Sequence, residues 1–561
     1  VKIRATALPI LLASLVLAGC TSRPPLTTDP IKTFDPDNRP IERPREIEEN
    51  QYWDIADHTF VNQVGKVLDL NVSGRWLGQL FGLCGPKQAD NVNALDEPVD
   101  SSWYTRRHFY RRLSLEALRK GPNATDGPDT TGVWAIVSGK FEGGTAGFTI
   151  EDRHGDRYLL KFDSQGNNEM ASAAEVISTK ILYACGYNVP ENTVVCFQPR
   201  ILRIDPGAKY AGPDKIKRPM TADDLQQILS AITIQSDGRI RCLASKYLTG
   251  APVGIFNFEG RRRDDPNDRV DHEHRRELRG LKVISSWLND ADRRAANTLD
   301  MYVTDGTGRG YVKHHLIDMG STLGSNNKFP HPPNYGNEYL WDPRTVGRSL
   351  ISLGFYHKPW DQPLPMPYPE LGYFENETFD PAHWYPTYPN PAFEKSTDRD
   401  AYWGAKLVTA FTAEEIAAIV SSAQYSNPAA ARELTRLLAE RRNLIGRYWF
   451  ARINPLDRFR CKGACLIFTD LAIEGGLESA EMTEYRYRLS HGTERLTEWA
   501  PLAAAAATSL PLPEDLVVAK YTTITIQTRR NGGPWSKRTR VTVYKQSADR
   551  FQIVRIEREE S

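Results

Sequence analysis

Between Thr131 and Ala184 the hydrophobic period changes from that of strands to that of a helix, and this change restricts the available folds more than any other feature. Trp134 and Ile136, then Gly147-Phe148-Thr149-Ile150, read as two strands joined through a glycine-rich turn. Tyr158-Leu159-Leu160-Lys161-Phe162 reads as a third strand after the turn signal His154-Gly155-Asp156. Glu169 to Ala184 then suits a long helix that stops at Gly186, where a left-handed cap belongs, and Val189-Pro190 prevents continuation. Three strands followed by a helix, with a lysine ending the third strand, is a specific order of parts.

The rest of the chain must be fitted around that unit. Its 561 residues allow two to four domains. With 40% hydrophobic and 25% charged residues it is neither a polytopic membrane protein nor disordered throughout. Lys+Arg 71 against Asp+Glu 70 leaves +1, so no global field holds nucleic acid, which would need a local basic patch and is not an expected partner. Seven cysteines are too few for a disulfide scaffold at this length.

At the N-terminus, Lys2 and Arg4 precede an apolar run, Ala7 to Ala18, that ends in Leu17-Ala18-Gly19-Cys20. The run is shorter than the roughly 20 residues of a membrane span and suits a signal-peptide core. The tetrapeptide resembles the lipobox of bacterial lipoproteins. That resemblance implies that residues 1–19 are a signal peptide and that Cys20 is acylated and becomes the mature N-terminus. Thr21 and Ser22, in place of an Asp at the second mature position, imply a lipid anchor in the cell envelope at the outer membrane. The alternative is an ordinary cleaved secretory signal with a chance cysteine. Residues 20–50, with prolines at 24, 25, 30, 36, 40 and 44, read as a tether. In polyproline geometry it would reach on the order of 90 Å at about 3.1 Å per residue. Residues 51–130, with Trp53, Phe60, Val64 and Trp76, read as an N-terminal helical extension. Cys84, Cys185, Cys196, Cys242, Cys461 and Cys465 could pair, but none of their spacings is that of a zinc knuckle, and buried free thiols are the simpler reading.

Residues 131–250 form a small β-rich lobe in this reading and 251–460 a helical lobe, with a Pro/aromatic insertion at 327–403 and a small antiparallel β module at 461–561. From Glu259 to Gly280 seven arginines face seven acids, which reads as a solvated loop leading into a helix through Leu281, Val283, Ile284, Trp287 and Leu288. Thr412-Ala413-Glu414-Glu415 is a capping box, and Asn427-Pro428 starts a helix to about Trp449. In the last hundred residues Thr522 to Gln527 alternates, Asn531-Gly532 is a hairpin signal, and Val541, Val543, Phe551 and Ile553 continue the strands. There is no internal repeat.

Phosphoryl transfer from a nucleotide needs a cation on the phosphates, a carboxylate to hold it, metal ligands, and a base beside the acceptor hydroxyl. Lys161 ends the third strand and Glu175 lies on the next helix. Asp292 to Asn297 has the Asp-x4-Asn spacing of a kinase catalytic loop. After a hairpin turn at Asp305-Gly306, Leu316-Ile317 runs into Asp318-Met319-Gly320. The ordered set resembles the atypical kinase superfamily, most closely its HipA-like branch, in which Glu175, Gly186 and then Tyr187-Asn188-Val189-Pro190-Glu191 match the helix-to-strand transition. It also looks like an uncharacterised bacterial family with blocks such as Gly143-Gly144-Thr145-Ala146-Gly147-Phe148 and Tyr158-Leu159-Leu160-Lys161-Phe162-Asp163. The resemblance covers roughly Thr131 to Gly324 and extends with the later helices to about Phe459.

It implies an α+β, two-lobed protein-kinase-like fold that uses ATP and Mg²⁺. Lys161 would bind the α/β phosphates, Glu175 orient it, and Asp292 act as the base. Asn297 and Asp318 would hold magnesium, and Gly139, Gly143 and Gly144 would lie over the nucleotide. The acceptor would be a protein hydroxyl or a small polyol, and the membrane a partner through lipidated Cys20. The chain departs from the pattern in two places: Gly139-x3-Gly143-Gly144-x2-Gly147 is not G-x-G-x-x-G, and Asp290-Ala291 replaces His-Arg before Asp292. Two other readings compete, a pseudokinase-type binding lipoprotein and a structural envelope lipoprotein in which the match is fortuitous. His272-x-His274 and His314-His315 lack a third ligand at metal spacing and read as a solvated helix face and a strand end. The Pro/Tyr stretch reads as a structured insertion over the lower lobe or as a peptide- or glycan-binding surface.

Overall fold

The computed structural model describes residues 25–47, 87–140, 147–211, 216–304, 306, 308–340, 357–505 and 507–560. The leader with Cys20, residues 51–86 with Cys84, and Gly143 and Gly144 lie outside the described residues.

After a short helix, α1 (Leu115–Lys120), the chain lays down β1 (Trp134–Lys140), β2 (Gly147–Glu151) and β3 (Arg157–Lys161) as an antiparallel meander. Alternation buries Trp134, Ile136, Phe148, Ile150, Tyr158 and Leu160 in one core. Helix α2 (Met170–Cys185) follows and ends where Gly186 takes a φ of 119° and its N–H returns to Leu182 and Tyr183. Then come β4 (Asn192–Phe197), β5 (Leu202–Ala211), β6 (Lys217–Pro219), α3 (Ala222–Ser230) and β7 (Ile240–Lys246). The expected three strands are the middle of a seven-stranded sheet ordered β4-β7-β3-β2-β1-β5-β6.

The second lobe holds a three-stranded antiparallel sheet of β8 (Ala251–Gly254), β9 (Thr298–Thr304) and β10 (Gly310–Leu316), ordered β10-β9-β8. Around it lie α4 (Arg276–Leu288), α5 (Asp398–Thr409), α6 (Ala413–Ser421) and α7 (Pro428–Arg452). Thr397 and Thr412 cap α5 and α6 with reciprocal boxes, and Asn427 caps α7. One core runs from α2 through α4 to α7, so the two lobes share buried surface.

Last come β11 (Leu456–Lys462), β12 (Cys465–Asp470), β13 (Thr483–His491), β14 (Ala507–Pro511), β15 (Tyr521–Arg530), β16 (Thr539–Ser547) and β17 (Arg550–Arg558). They form two sheets, β11-β12-β14 and β13-β15-β16-β17, over a common core. Because β11 runs through position 461, the module starts at Leu456. Likewise α5 begins inside the stretch 327–403, so the irregular insertion ends before Asp398.

Four expectations are corrected. Residues 25–47 are a strap laid on the body. Asp37 accepts Ser102 N–H at 3.0 Å and its hydroxyl at 2.7 Å, Ile41 bridges Gly310, and Ile47 bridges Gly254. A proline-broken extended backbone carries unpaired N–H and C=O groups, and sheet edges satisfy them. The described part of the N-terminal extension is mostly irregular, with α1 its one α-helix.

The charged segment 259–280 is not a solvated loop. Arg262, Arg275, Arg276 and Arg279 are buried with Asp265, Asp268 and Glu277. Arg275 pairs with Asp268 at 3.3 Å, Arg276 with Asp96 at 2.8 Å and Asp400 at 2.7 Å, and Arg279 with Asp400 at 3.2 Å. Equal numbers of opposite charges, which also suit a solvated loop, are what burial in pairs requires. His272 and His314 are buried too, bonded to Asp268 at 2.8 Å and Asp300 at 2.6 Å, with His314 stacked on Trp103. Cys185, Cys196, Cys242, Cys461 and Cys465 are free thiols. No helix among the described residues is long and apolar enough to cross a membrane.

Candidate functional site

The β9-β10 hairpin sets the geometry. Leu316 lies opposite Thr298, and the ladder continues one step as Ile317 donates its N–H to the Asn297 carbonyl at 3.0 Å. The residues before β9 and after β10 therefore meet at one end of the hairpin, which brings Asp292 and Asn297, more than twenty positions back in sequence, to Asp318. Arg293 locks the junction: its guanidinium donates to the carbonyls of Asn297 at 2.8 Å and Ile317 at 3.0 Å and to Asp290 at 2.8 Å. Arg293 is a positioning residue that the motif spacing did not single out, although Asp290 three positions before it is a pairing signal.

Lys161 reaches the same place from the sheet. It ends β3 opposite Gly147, and Gly147 pairs with Lys140, so the strand ends that flank the glycine-rich loop lie at the same end of the sheet as Lys161. Its Nζ lies 2.9 Å from each Glu175 carboxylate oxygen and 3.0 Å from Asp318 Oδ1. The Glu175 side chain is only 3% exposed, whereas that of Asp318 is 45% exposed and faces open space. Asp318 sits at φ 54°, a left-handed conformation that Asp tolerates better than most residues, and such strain collects at functional sites.

Burial alone would discharge Lys161, but the carboxylates of Asp318 and Glu175 outweigh it and hold its pKa above the ordinary lysine value. Lys161 in turn holds the Asp318 carboxyl below the usual range. Burial pushes Glu175 up against the pull of Lys161. Burial also raises Asp292, which Arg294 at 3.0 Å and the Asn297 amide at 3.1 Å partly offset and the Asp318 charge reinforces. Asn297 spends its amide nitrogen on Asp292, and its Oδ1 meets no protein donor among the described residues. The Asn297 amide oxygen and the exposed Asp318 carboxylate, brought to the same end of the hairpin, are oxygen ligands of the kind a hard divalent cation takes.

The raised Asp292 predicts a stability effect. A carboxyl whose folded pKa is raised favours folding in its protonated form, so its contribution is complete below the unfolded value and is lost as pH rises through the folded one. Ionised Asp292 therefore costs stability at neutral pH, and Asp292→Asn is expected to raise Tm at neutral pH by on the order of 1 °C or more, with a smaller gain in acid. A lower Tm at neutral pH in a melting experiment would contradict this.

Lys161, Glu175 and Asp318 thus form one cluster, and Asp292 with Asn297 borders it. Gly139 stands apart. It is buried on β1 opposite Phe148, and a Cβ there would lie 3.2 Å from the Met220 Cε. The position is explained by packing on the sheet face away from Lys161. Tyr247, just past β7, was not anticipated; its hydroxyl meets Thr149 Oγ1 at 3.1 Å on β2.

No family model matches the chain, and no curated protein does. Among solved structures, a crystal structure of the Golgi casein kinase with Mn/ADP bound aligns over 53% of this chain and 75% of that one, at 11% identity and TM-score 0.23. A second crystal structure of the Golgi casein kinase aligns over 71% and 97%, at 11% identity and TM-score 0.21. The chemistry that follows rests on the side chains themselves.

Proposed function

We propose that this chain is an envelope-anchored lipoprotein with an atypical kinase-like domain that moves a phosphoryl group from ATP to a hydroxyl of a protein or small molecule. The observation that carries the reading is the Lys161 ammonium held within 3.0 Å of both Glu175 and Asp318, with Asn297 and Asp292 at the same hairpin end. Strand order β4-β7-β3-β2-β1, with α2 between β3 and β4, supports it.

Lys161 would lie against the nucleotide phosphates, kept charged and aimed by Glu175. Asp318 and Asn297 are the residues that would hold Mg²⁺, which when bound neutralises phosphate charge. Asp292 would take the proton of the acceptor hydroxyl as that oxygen bonds to the γ-phosphorus and the bond to the β-phosphate oxygen breaks. A binding-only reading has one observation in its favour: both Asp292 oxygens are engaged, by Arg294 and Asn297.

Thermal melting with and without Mg·ATP tests the proposal. At 100-fold the dissociation constant a ligand adds about 2.7 kcal/mol. The shift should vanish in Asp318→Ala, and phosphate release from labelled ATP to hydroxyl acceptors should accompany it. No shift in the parent chain rejects nucleotide binding, and a shift without transfer selects the binding-only reading. The lipobox at Leu17-Ala18-Gly19-Cys20 supports the anchor, at the outer membrane. Cys20→Ser is expected to move the protein from the membrane pellet to the soluble fraction, and unchanged pelleting would argue against acylation.

A further inference from the structure

One face of the C-terminal sheet carries charge that neither the cleft nor the fold explains. Arg488, Trp499, Arg486, Trp535 and Arg529 form a ladder. The two arginines of β13 lie 4.9 and 4.4 Å from the Trp499 ring centre, and Arg486 and Arg529 lie 4.2 and 4.8 Å from that of Trp535. In the register Arg488 faces Thr525, which faces Arg540, so Arg540 extends the cationic row across β15 to β16.

Carboxylates reach only part of this array. Glu484 pairs with Arg529, Glu498 with Arg495 at 3.2 Å, and Glu559 with Arg538 at 3.8 Å. Arg486 donates to the neutral Gln527 amide at 2.7 Å, and Arg488 and Arg540 meet no protein acceptor among the described residues. Desolvation and then the neighbouring guanidiniums push the pKa values of Arg486 and Arg488 down. A chain with net charge +1 has gathered Arg486, Arg488 and Arg540 on one partly exposed face, with no ion pair to any of them among the described residues. Glu557 faces Arg540 in the register and Glu498 lies near Arg488, and the arginines outnumber these acids. This is the local basic patch that overall composition hides.

The ladder also selects the partner. Each indole already carries two guanidiniums, so neither ring is free to stack on a nucleobase, the contact that single-stranded nucleic acid needs. The same stacking holds the indoles against the sheet and away from a bilayer interface. What remains accessible is guanidinium N–H edges, repeated about 7 Å apart along β13, suited to oxyanions. We propose that this Arg/Trp face docks a linear acidic polysaccharide, reading its carboxylate or sulfate groups through Arg486, Arg488 and Arg540.

The test uses the full chain on immobilised polygalacturonate and heparin, eluted with a salt gradient, beside a triple variant Arg486→Gln, Arg488→Gln, Arg540→Gln. The parent should be retained, and the variant should bind about tenfold more weakly or worse, with a shallower salt dependence. Its circular dichroism should be unchanged. If the triple variant misfolds, Arg540→Glu replaces it, since Arg540 makes no ring contact among the described residues. Failure of the parent to bind either glycan, or equal binding by parent and variant, overturns the proposal. So does tighter arginine-dependent binding to a single-stranded oligonucleotide, or to vesicles of phosphatidylcholine and phosphatidylglycerol.

Discussion

Lys161→Met is expected to abolish Mg·ATP-dependent stabilisation and phosphoryl transfer, and to cost about 3 kcal/mol or more in stability. Lys161 is the only cation within ion-pair reach of Glu175 or Asp318 among the described residues. Without it Glu175 is a buried carboxylate facing another carboxylate, and its pKa, already raised by burial, rises further. A raised carboxyl stabilises the fold in its protonated form below the unfolded value and loses that contribution as pH rises through the folded one. The variant should therefore lose more stability than the parent as pH rises from the ordinary carboxylate range through the raised folded value. The double variant Lys161→Met, Glu175→Gln should regain much of the stability and none of the nucleotide response, because it removes the stranded charge without restoring the cation. Retained Mg·ATP stabilisation in Lys161→Met would remove Lys161 from the proposed phosphate site.

Asp400→Asn should be about as damaging, far from the cleft. Asp400 is buried and neutralises two buried guanidiniums, Arg276 at 2.7 Å and Arg279 at 3.2 Å. It is also the reciprocal member of the capping box that starts α5, accepting the Thr397 N–H at 2.9 Å. Stranding a buried ion costs about 3–5 kcal/mol against a total of about 5–15 kcal/mol, while the Asn oxygen can still accept the Thr397 N–H and keep the cap. Denaturant unfolding should show a lower midpoint with an unchanged slope. Arg261→Ala in the same charged segment, where the side chain is half exposed, should stay within about 0.5 kcal/mol of the parent. If Asp400→Asn melted like the parent, the buried network would not be a determinant of stability.

Local periodicity made β1 to β3, α2, α6, α7 and the strands β15 to β17 legible, because each buries one face against a core and the helices carry their own end signals. The grouping of Lys161 with Glu175 was also legible, since a strand-ending lysine and a helix carboxylate fourteen positions on can meet across one turn of chain. Less visible were features fixed by partners distant in sequence. Whether seven arginines and seven acids are solvated or buried depends on Asp96, Asp300 and Asp400, which lie outside their segment. The strand β5 runs parallel to β1, and no local pattern announces a neighbour some seventy residues away. Gly139 looked like part of a phosphate loop because glycine spacing does not say which face of a strand lacks room.

The strap at residues 25–47 has a consequence for association between molecules. The β10-β9-β8 sheet has two edge strands, and the strap touches both, through Ile41 at Gly310 and Ile47 at Gly254, while Ser102 and Asn188 take the N–H groups of His314 and Leu316 farther along β10. Bare strand edges template pairing with other chains. One irregular segment thus acts as a guard against edge-to-edge aggregation, and a chain shortened past residue 47 would lose this cover from both edges at once.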